Sequence, residues 1–186
     1  MAESSDSHAK ATLADGLVTY FDYLVRARAR LLEWVRQASP QAYTQAFPVG
    51  RGSIRATLLH VAGAEWGYVE ALRKSEVVAQ EIRQNNPFTL ERLPDLEPLV
   101  AAWDRQRSST RAALADLGDP DRPTAMVARD MTPPMRFQLT AGGIAGQILF
   151  HEIHHRAQIM TMLRQAGVAA ENLDYSVLMV ERIPLA

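Results

Sequence analysis

Residues 147–158 read QILFHEIHHRAQ and carry three of the chain's five histidines. They lie inside an apolar, helix-compatible run from Thr140 to Ala166. Imidazoles and amides are out of place there unless each finds a partner, because burying an unpaired polar group costs free energy. His151 and His155 are four residues apart, so a helix stacks their side chains on one face. Two imidazoles placed in this way can clamp one metal ion.

A helical wheel separates the three histidines. With His151 at zero, Ile144, Ile148, His155, Ile159 and Met162 fall between about 20° and 80° on the ideal turn, the sector that faces a core. His154 falls about 60° to the other side, beside Gln147, Gln158 and Gln165. His151 and His155 are therefore expected to face inward, with His154 on the flank as a rim, supporting or surface residue. Leu149, Ile153 and Met160 make the opposite side apolar too, which predicts a second packing partner, either the C-terminal tail or a second subunit.

A third imidazole is available upstream. His60 lies in a predicted helix from Ile54 to Lys74, capped by Ser53. On its face fall Ser53, Thr57, Ala64, Gly67 and Ala71, with Gly63 close by. Such a strip of small residues permits close helix packing, or leaves space for a ligand above a metal. Two imidazoles from one helix and one from a facing helix make a three-nitrogen cap on one ion, suited to Zn, Ni, Fe or Cu. Three protein ligands leave open positions, as in catalytic zinc sites. Because the ligands are neutral, the cation's charge stays uncompensated. That favours hydroxide or an anionic substrate and can lower the pKa of a bound water to roughly 7.

Residues 151–155 also match HExxH, in which Glu152 would be the general base of a metalloprotease. The context argues against a protease. No histidine follows His155, and the later acids Glu171, Asp174 and Glu181 lie beyond the break at Gly167. On the wheel Glu152 sits about 100° from His151, at the edge of the interior face, where it is a candidate base, a supporting partner or a solvated acid.

The rest of the chain must position these residues. Its 186 residues suffice for one domain with a substantial core, and 47% hydrophobic with 22% charged residues is ordinary for a globular protein. A net charge of −1 gives no footprint for nucleic acid or an anionic membrane. Arg26, Arg28, Arg30 and Arg36 form no single helical stripe, and read as solvated charges and ion pairs. With no cysteine, a metal site must draw on His, Asp and Glu. No apolar run reaches membrane-spanning length and MAESSDSHAK has no signal-like core, so a cytoplasmic protein is the simplest reading. Residues 1–10 read as a flexible tail with His8 an exposed bystander, and 11–186 as a single domain. Helices are predicted over 11–37, 54–74, 95–117 and 140–167. A long connection is expected over 75–94, a small β-hairpin or extended excursion over 124–139, and a short helical piece in NLDYSVLMV.

TLLHVAGAEWGYVEAL and ILFHEIHHRAQIM together resemble the two histidine motifs of the DinB/YfiT-like family of metal-dependent enzymes, with His60 in the first and His151 and His155 in the second. The resemblance extends over nearly the whole chain. It implies an all-α, up-down-down-up four-helix bundle, often dimeric, with His60, His151 and His155 on Ni or Zn. Relatives of this kind include thiol-dependent transferases and isomerases that use low-molecular-weight thiols, and some hydrolases.

The expected function is thus activation of water or a low-molecular-weight thiol for attack on a small electrophilic substrate, in a homodimer without nucleic-acid or membrane partners. Tyr68, Gln147, His154 and Gln158 are candidates for the pocket or for support of the ligands, and Glu152 for catalysis. The alternative is a non-catalytic dimeric scaffold in which the metal joins two helices.

Overall fold

A computed structural model describes residues 12–181 and Ile183. His8 and the tail expected over residues 1–10 lie outside the described residues. In chain order the elements are α1 (Leu13–Gln37), α2 (Pro40–Thr44), α3 (Ile54–Lys74), β1 (Glu76–Val78), α4 (Ala79–Asn85), α5 (Leu96–Ala115), β2 (Pro123–Ala128), β3 (Met135–Thr140), α6 (Ala141–Gln165) and α7 (Tyr175–Leu178). The protein is mostly helical with one small sheet.

The long helices start where the sequence supplies caps. Thr12 and Asp15 form a reciprocal capping box on α1. Ser53 Oγ accepts from Ala56 N at 3.1 Å to open α3, and Thr140 Oγ1 accepts from Gly143 N at 3.1 Å to open α6. Both His-bearing helices therefore begin at the predicted residues.

The four long helices pack as two crossed pairs, α1 against α5 and α6, and α3 against α5 and α6. Polar contacts set their directions. Arg36 binds Glu97 at one end of the α1–α5 contact and Arg111 binds Asp22 at the other, so these helices are antiparallel. Gly50, just before α3, lies against Gln158 and Met162 late in α6, while Tyr68 late in α3 meets Gln147 early in α6. That makes α3 and α6 antiparallel as well. Arg122, just after α5, donates to Leu72 O and Ser75 Oγ at the end of α3, so α3 and α5 finish at the same end. Phe21, Leu24, Leu58, Leu99, Ile159 and Met162 fill the interior between them.

The hairpin expected between the last two long helices is present, and the sheet it belongs to has one strand more than expected. The excursion between α5 and α6 is the hairpin β2–β3, centred on the Met126–Phe137 pair, and β1 adds to it in parallel through Val77 opposite Met126. β1 and α4 both fall in 75–94, read from sequence as a connection. A three-residue strand and a seven-residue helix are too short to show a period, and both are held by tertiary contacts.

α4 also explains part of the small-residue strip on α3. A Cβ built on Gly63 would lie 2.6 Å from Asn86 Nδ2, and one on Gly67 would lie 3.1 Å from Ile82 Cγ2. Gly63 and Gly67 thus admit α4 to close range. No helix among the described residues is long and apolar enough to cross a membrane.

Candidate metal centre

The antiparallel packing of α3 on α6 brings His60 over His151 and His155. Candidate ligand nitrogens of the three rings lie within 4.8 Å of one another. The closest approach is His60 Nε2 to His151 Nε2, at 3.1 Å. Two nitrogens bound tetrahedrally at zinc distances are roughly 3.3 Å apart, so this pair already has the spacing of two ligands on one ion. The ring centroids are 4.5 to 4.9 Å apart. Among the described residues this is the one cluster of three His, Asp or Glu side chains close enough to share an ion.

The electrostatics suit a cation. Burial lowers the pKa of His60 to about 4, helped by His155 and Arg51. Burial also lowers that of His151 to about 4, helped by His155, His60 and His154. His155 is lowered chiefly by burial, against the opposing effect of the hydrogen bond its ring donates to Gln158. All three rings are thus neutral at pH 7 and keep a lone pair for a metal.

Gln158 orients one of them. His155 Nδ1 and Gln158 Oε1 are 2.7 Å apart, so the ring donates there and its Nε2 is the free acceptor. Gln158 Nε2 in turn donates to His154 Nε2 at 2.9 Å. His154 is exposed and stands behind the amide, outside the three-histidine cluster. The amide is itself confined, because a Cβ built on Gly50 would lie 2.9 Å from Gln158 Oε1. Tyr68 meets His151 edge-on at a centroid distance of 5.8 Å, and Gln147 Nε2 lies 3.4 Å from its hydroxyl. The two therefore border the cluster on the side away from Gln158.

Glu152, read from sequence as a candidate base, a supporting partner or a solvated acid, lies against Arg28. Its carboxylate is buried and takes two bonds from Arg28, Nε to Oε1 at 3.1 Å and Nη2 to Oε2 at 2.6 Å. Arg28 Nη2 also donates to Glu65 Oε2 at 2.7 Å. Trp103 Nε1 at 2.7 Å and Thr110 Oγ1 at 2.6 Å complete the Glu65 carboxylate. Burial pushes the Glu152 carboxyl above its ordinary range, with Arg28 opposing. Burial alone would weaken the Arg28 charge, but the two carboxylates outweigh it and hold the guanidinium protonated. Both oxygens of Glu152 are thus committed to an ion cluster linking α6 to α1 and, through Glu65, to α3 and α5.

Sequence reasoning read Arg28 among solvated charges and ion pairs, but did not foresee that its pairs are buried or which acids they join. Arg28 is buried, whereas Arg30 pairs with Glu33 and Arg36 with Glu97 at the surface. A signal was present. Arg28 falls in the apolar register Phe21, Leu24, Leu31, Val35, and Glu65 in the register Leu58, Val61, Val69, Leu72. Glu152 follows Ala145, Ile148 and Leu149 in the same way. Charges of opposite sign at three core positions predict one another.

Beyond His60 a cleft of about 440 Å³ opens between the start of α3 and α4. Arg51, Arg83 and Asn86 supply its polar wall, and Leu59, Ile82 and Phe88 much of its apolar one. The small-residue strip thus serves both purposes, since Gly63 and Ala64 border this cleft while Gly67 packs on α4.

The family model described as DinB superfamily matches residues 23–159. The chain belongs to the DinB superfamily. The matched span contains all three clustered histidines, Gln158 and the whole Arg28–Glu65–Glu152 network of this DinB chain. No curated protein matches the chain significantly.

Proposed function

We propose that this DinB-superfamily chain is a metal-dependent enzyme acting on a small electrophilic substrate, with His60, His151 and His155 as ligands to a nickel or zinc ion. A divalent metal held there would supply a Lewis acid able to activate a water or a low-molecular-weight thiol. The observation that carries the reading is the convergence of three neutral imidazoles from two helices beside an open cleft.

The chain's own groups have distinct tasks in this proposal. Gln158 presents the Nε2 lone pair of His155, and His154 backs the amide. Tyr68 and Gln147 border the site and orient substrate on the far side of His151. Glu152 keeps α6 in register through Arg28, one residue from His151, and is an anchor more than a proton carrier. Half-buried His60 and His151 keep the site reachable, which supports an enzyme over a closed metal-bound scaffold. The test is turnover of thiol conjugates and activated esters by metal-loaded protein. Turnover that a chelator abolishes is expected. A full metal complement with no turnover of either class would leave the scaffold as the better reading.

The same proposal extends to architecture and assembly. The helix directions above support an up-down-down-up four-helix bundle. On α6 the stripe Gly146, Phe150, Ile153 and Ala157 lies on one face, with Phe150 69% and Ile153 40% exposed. An aromatic side chain that open to water supports a subunit contact, so the chain is a homodimer through this face. Sedimentation should give a dimer for the wild type and a monomer for Phe150→Glu. Dimers of equal strength in both would refute this interface.

A further inference from the structure

Arg51 occupies an unusual place. It sits between Gly50 and Gly52, whose φ values of 61° and 84° are left-handed, a conformation glycine adopts without strain. The loop is closed by Phe47 N to Gly52 O at 2.8 Å and Gly52 N to Val49 O at 3.1 Å. The Arg51 backbone N–H donates to Thr57 Oγ1 at 3.3 Å, inside the first turn of α3. Gly50 presses on Gln158 and Met162, which fastens the loop to the histidine-bearing helix. Arg51 is thus carried on a hydrogen-bonded turn and lines the same cleft as His60.

Arg51 is exposed, and its charge has no ion-pair partner among the described residues. Arg83, the other cation of the cleft, is paired with Asp130. Among the described residues no acid lines the cleft. Three neutral imidazoles add no negative charge. The cleft volume is in the range of small-molecule sites, and Leu59, Ile82 and Phe88 give it an apolar flank.

We propose that this cleft binds a small organic anion, its carboxylate or phosphate held by Arg51 and its apolar body laid against Leu59, Ile82 and Phe88. A planar guanidinium fits either group through paired N–H donors. The proposal rests on the metal-site reading for which end of the ligand reacts, but not for binding itself. It therefore names the substrate class as anionic.

The test is calorimetric titration of benzoate, phenyl phosphate, inorganic phosphate and neutral benzyl alcohol into zinc-treated wild type, Arg51→Gln and His151→Ala, with zinc content measured on each. Phenyl phosphate or benzoate should bind wild type at least about tenfold more tightly than Arg51→Gln, the scale of a charged hydrogen bond. Benzyl alcohol should not distinguish the two, and zinc content should be unchanged. The tighter of the two aromatic anions identifies the head group. Anion affinity that is equal in wild type and Arg51→Gln would overturn the proposal, as would absence of anion binding to wild type. Inorganic phosphate binding as tightly as phenyl phosphate would overturn the apolar half. Failure of wild type to hold zinc would sink the metal reading alone, because Arg51-dependent anion binding would still be read on metal-free protein and on His151→Ala.

Discussion

Replacing Arg28 with alanine should lower the unfolding free energy by about 3–5 kcal/mol, because it leaves Glu65 and Glu152 buried without their shared cation. Arg28 is 6% exposed, and Glu65 and Glu152 are 4% and 5% exposed, so water cannot substitute. The guanidinium also stacks on Trp103, 3.9 Å from its centroid, so packing is lost with the charge. Urea unfolding at pH 7, followed by helical circular dichroism, measures the loss. Glu152→Gln should cost less, since an amide keeps an acceptor for Arg28 and removes a buried charge. That variant also separates anchor from base. As an anchor, Glu152→Gln keeps its metal and most of any turnover in the folded fraction, whereas a catalytic base would lose nearly all turnover at unchanged metal content. An Arg28→Ala protein as stable as wild type would mean that the cluster contributes nothing to the fold.

The second large effect concerns the metal. His151→Ala should abolish stoichiometric binding of zinc or nickel, since it leaves two imidazoles where three converge. Metal at one thousand times its dissociation constant stabilises the native state by about 4 kcal/mol, so wild type should gain a large thermal shift that the variant lacks. Equal metal content in the two proteins would eliminate the three-histidine site.

The pH dependence of the metal-free protein follows from the same rings. His60 and His151 have folded pKa values of about 4, below the ordinary 6.5. Between those limits the unfolded chain binds more protons than the native one. Stability therefore rises with pH over this window, is fully present above 6.5, and is lost as pH falls toward 4. His151→Ala should flatten that slope. Because the rings are already neutral at pH 7, zinc uptake there should release few protons, which titration in buffers of different ionisation enthalpy would show.

By itself the sequence determined much of this protein. The His-bearing helices were legible to the residue at their starts because Ser53 and Thr140 are local caps followed by helical periods. The inward pair His151 and His155, and the outward His154, followed from the 100° advance of a helix, which needs no partner. The two motifs and their spacing were also enough to suggest the DinB family. Tertiary structure decided the rest. Whether His60 meets the other two depends on the register of α3 against α6, set by contacts such as Gly50 on Gln158 that no local pattern encodes. The sequence left Glu152 open as a base, a supporting partner or a solvated acid, and Arg28, 124 positions earlier in the chain, occupies both its oxygens. β1 exists only because β2 lies beside it, and the cleft only because α4 settles on Gly63 and Gly67. Local signals report which face a residue presents, and long-range packing decides what stands opposite.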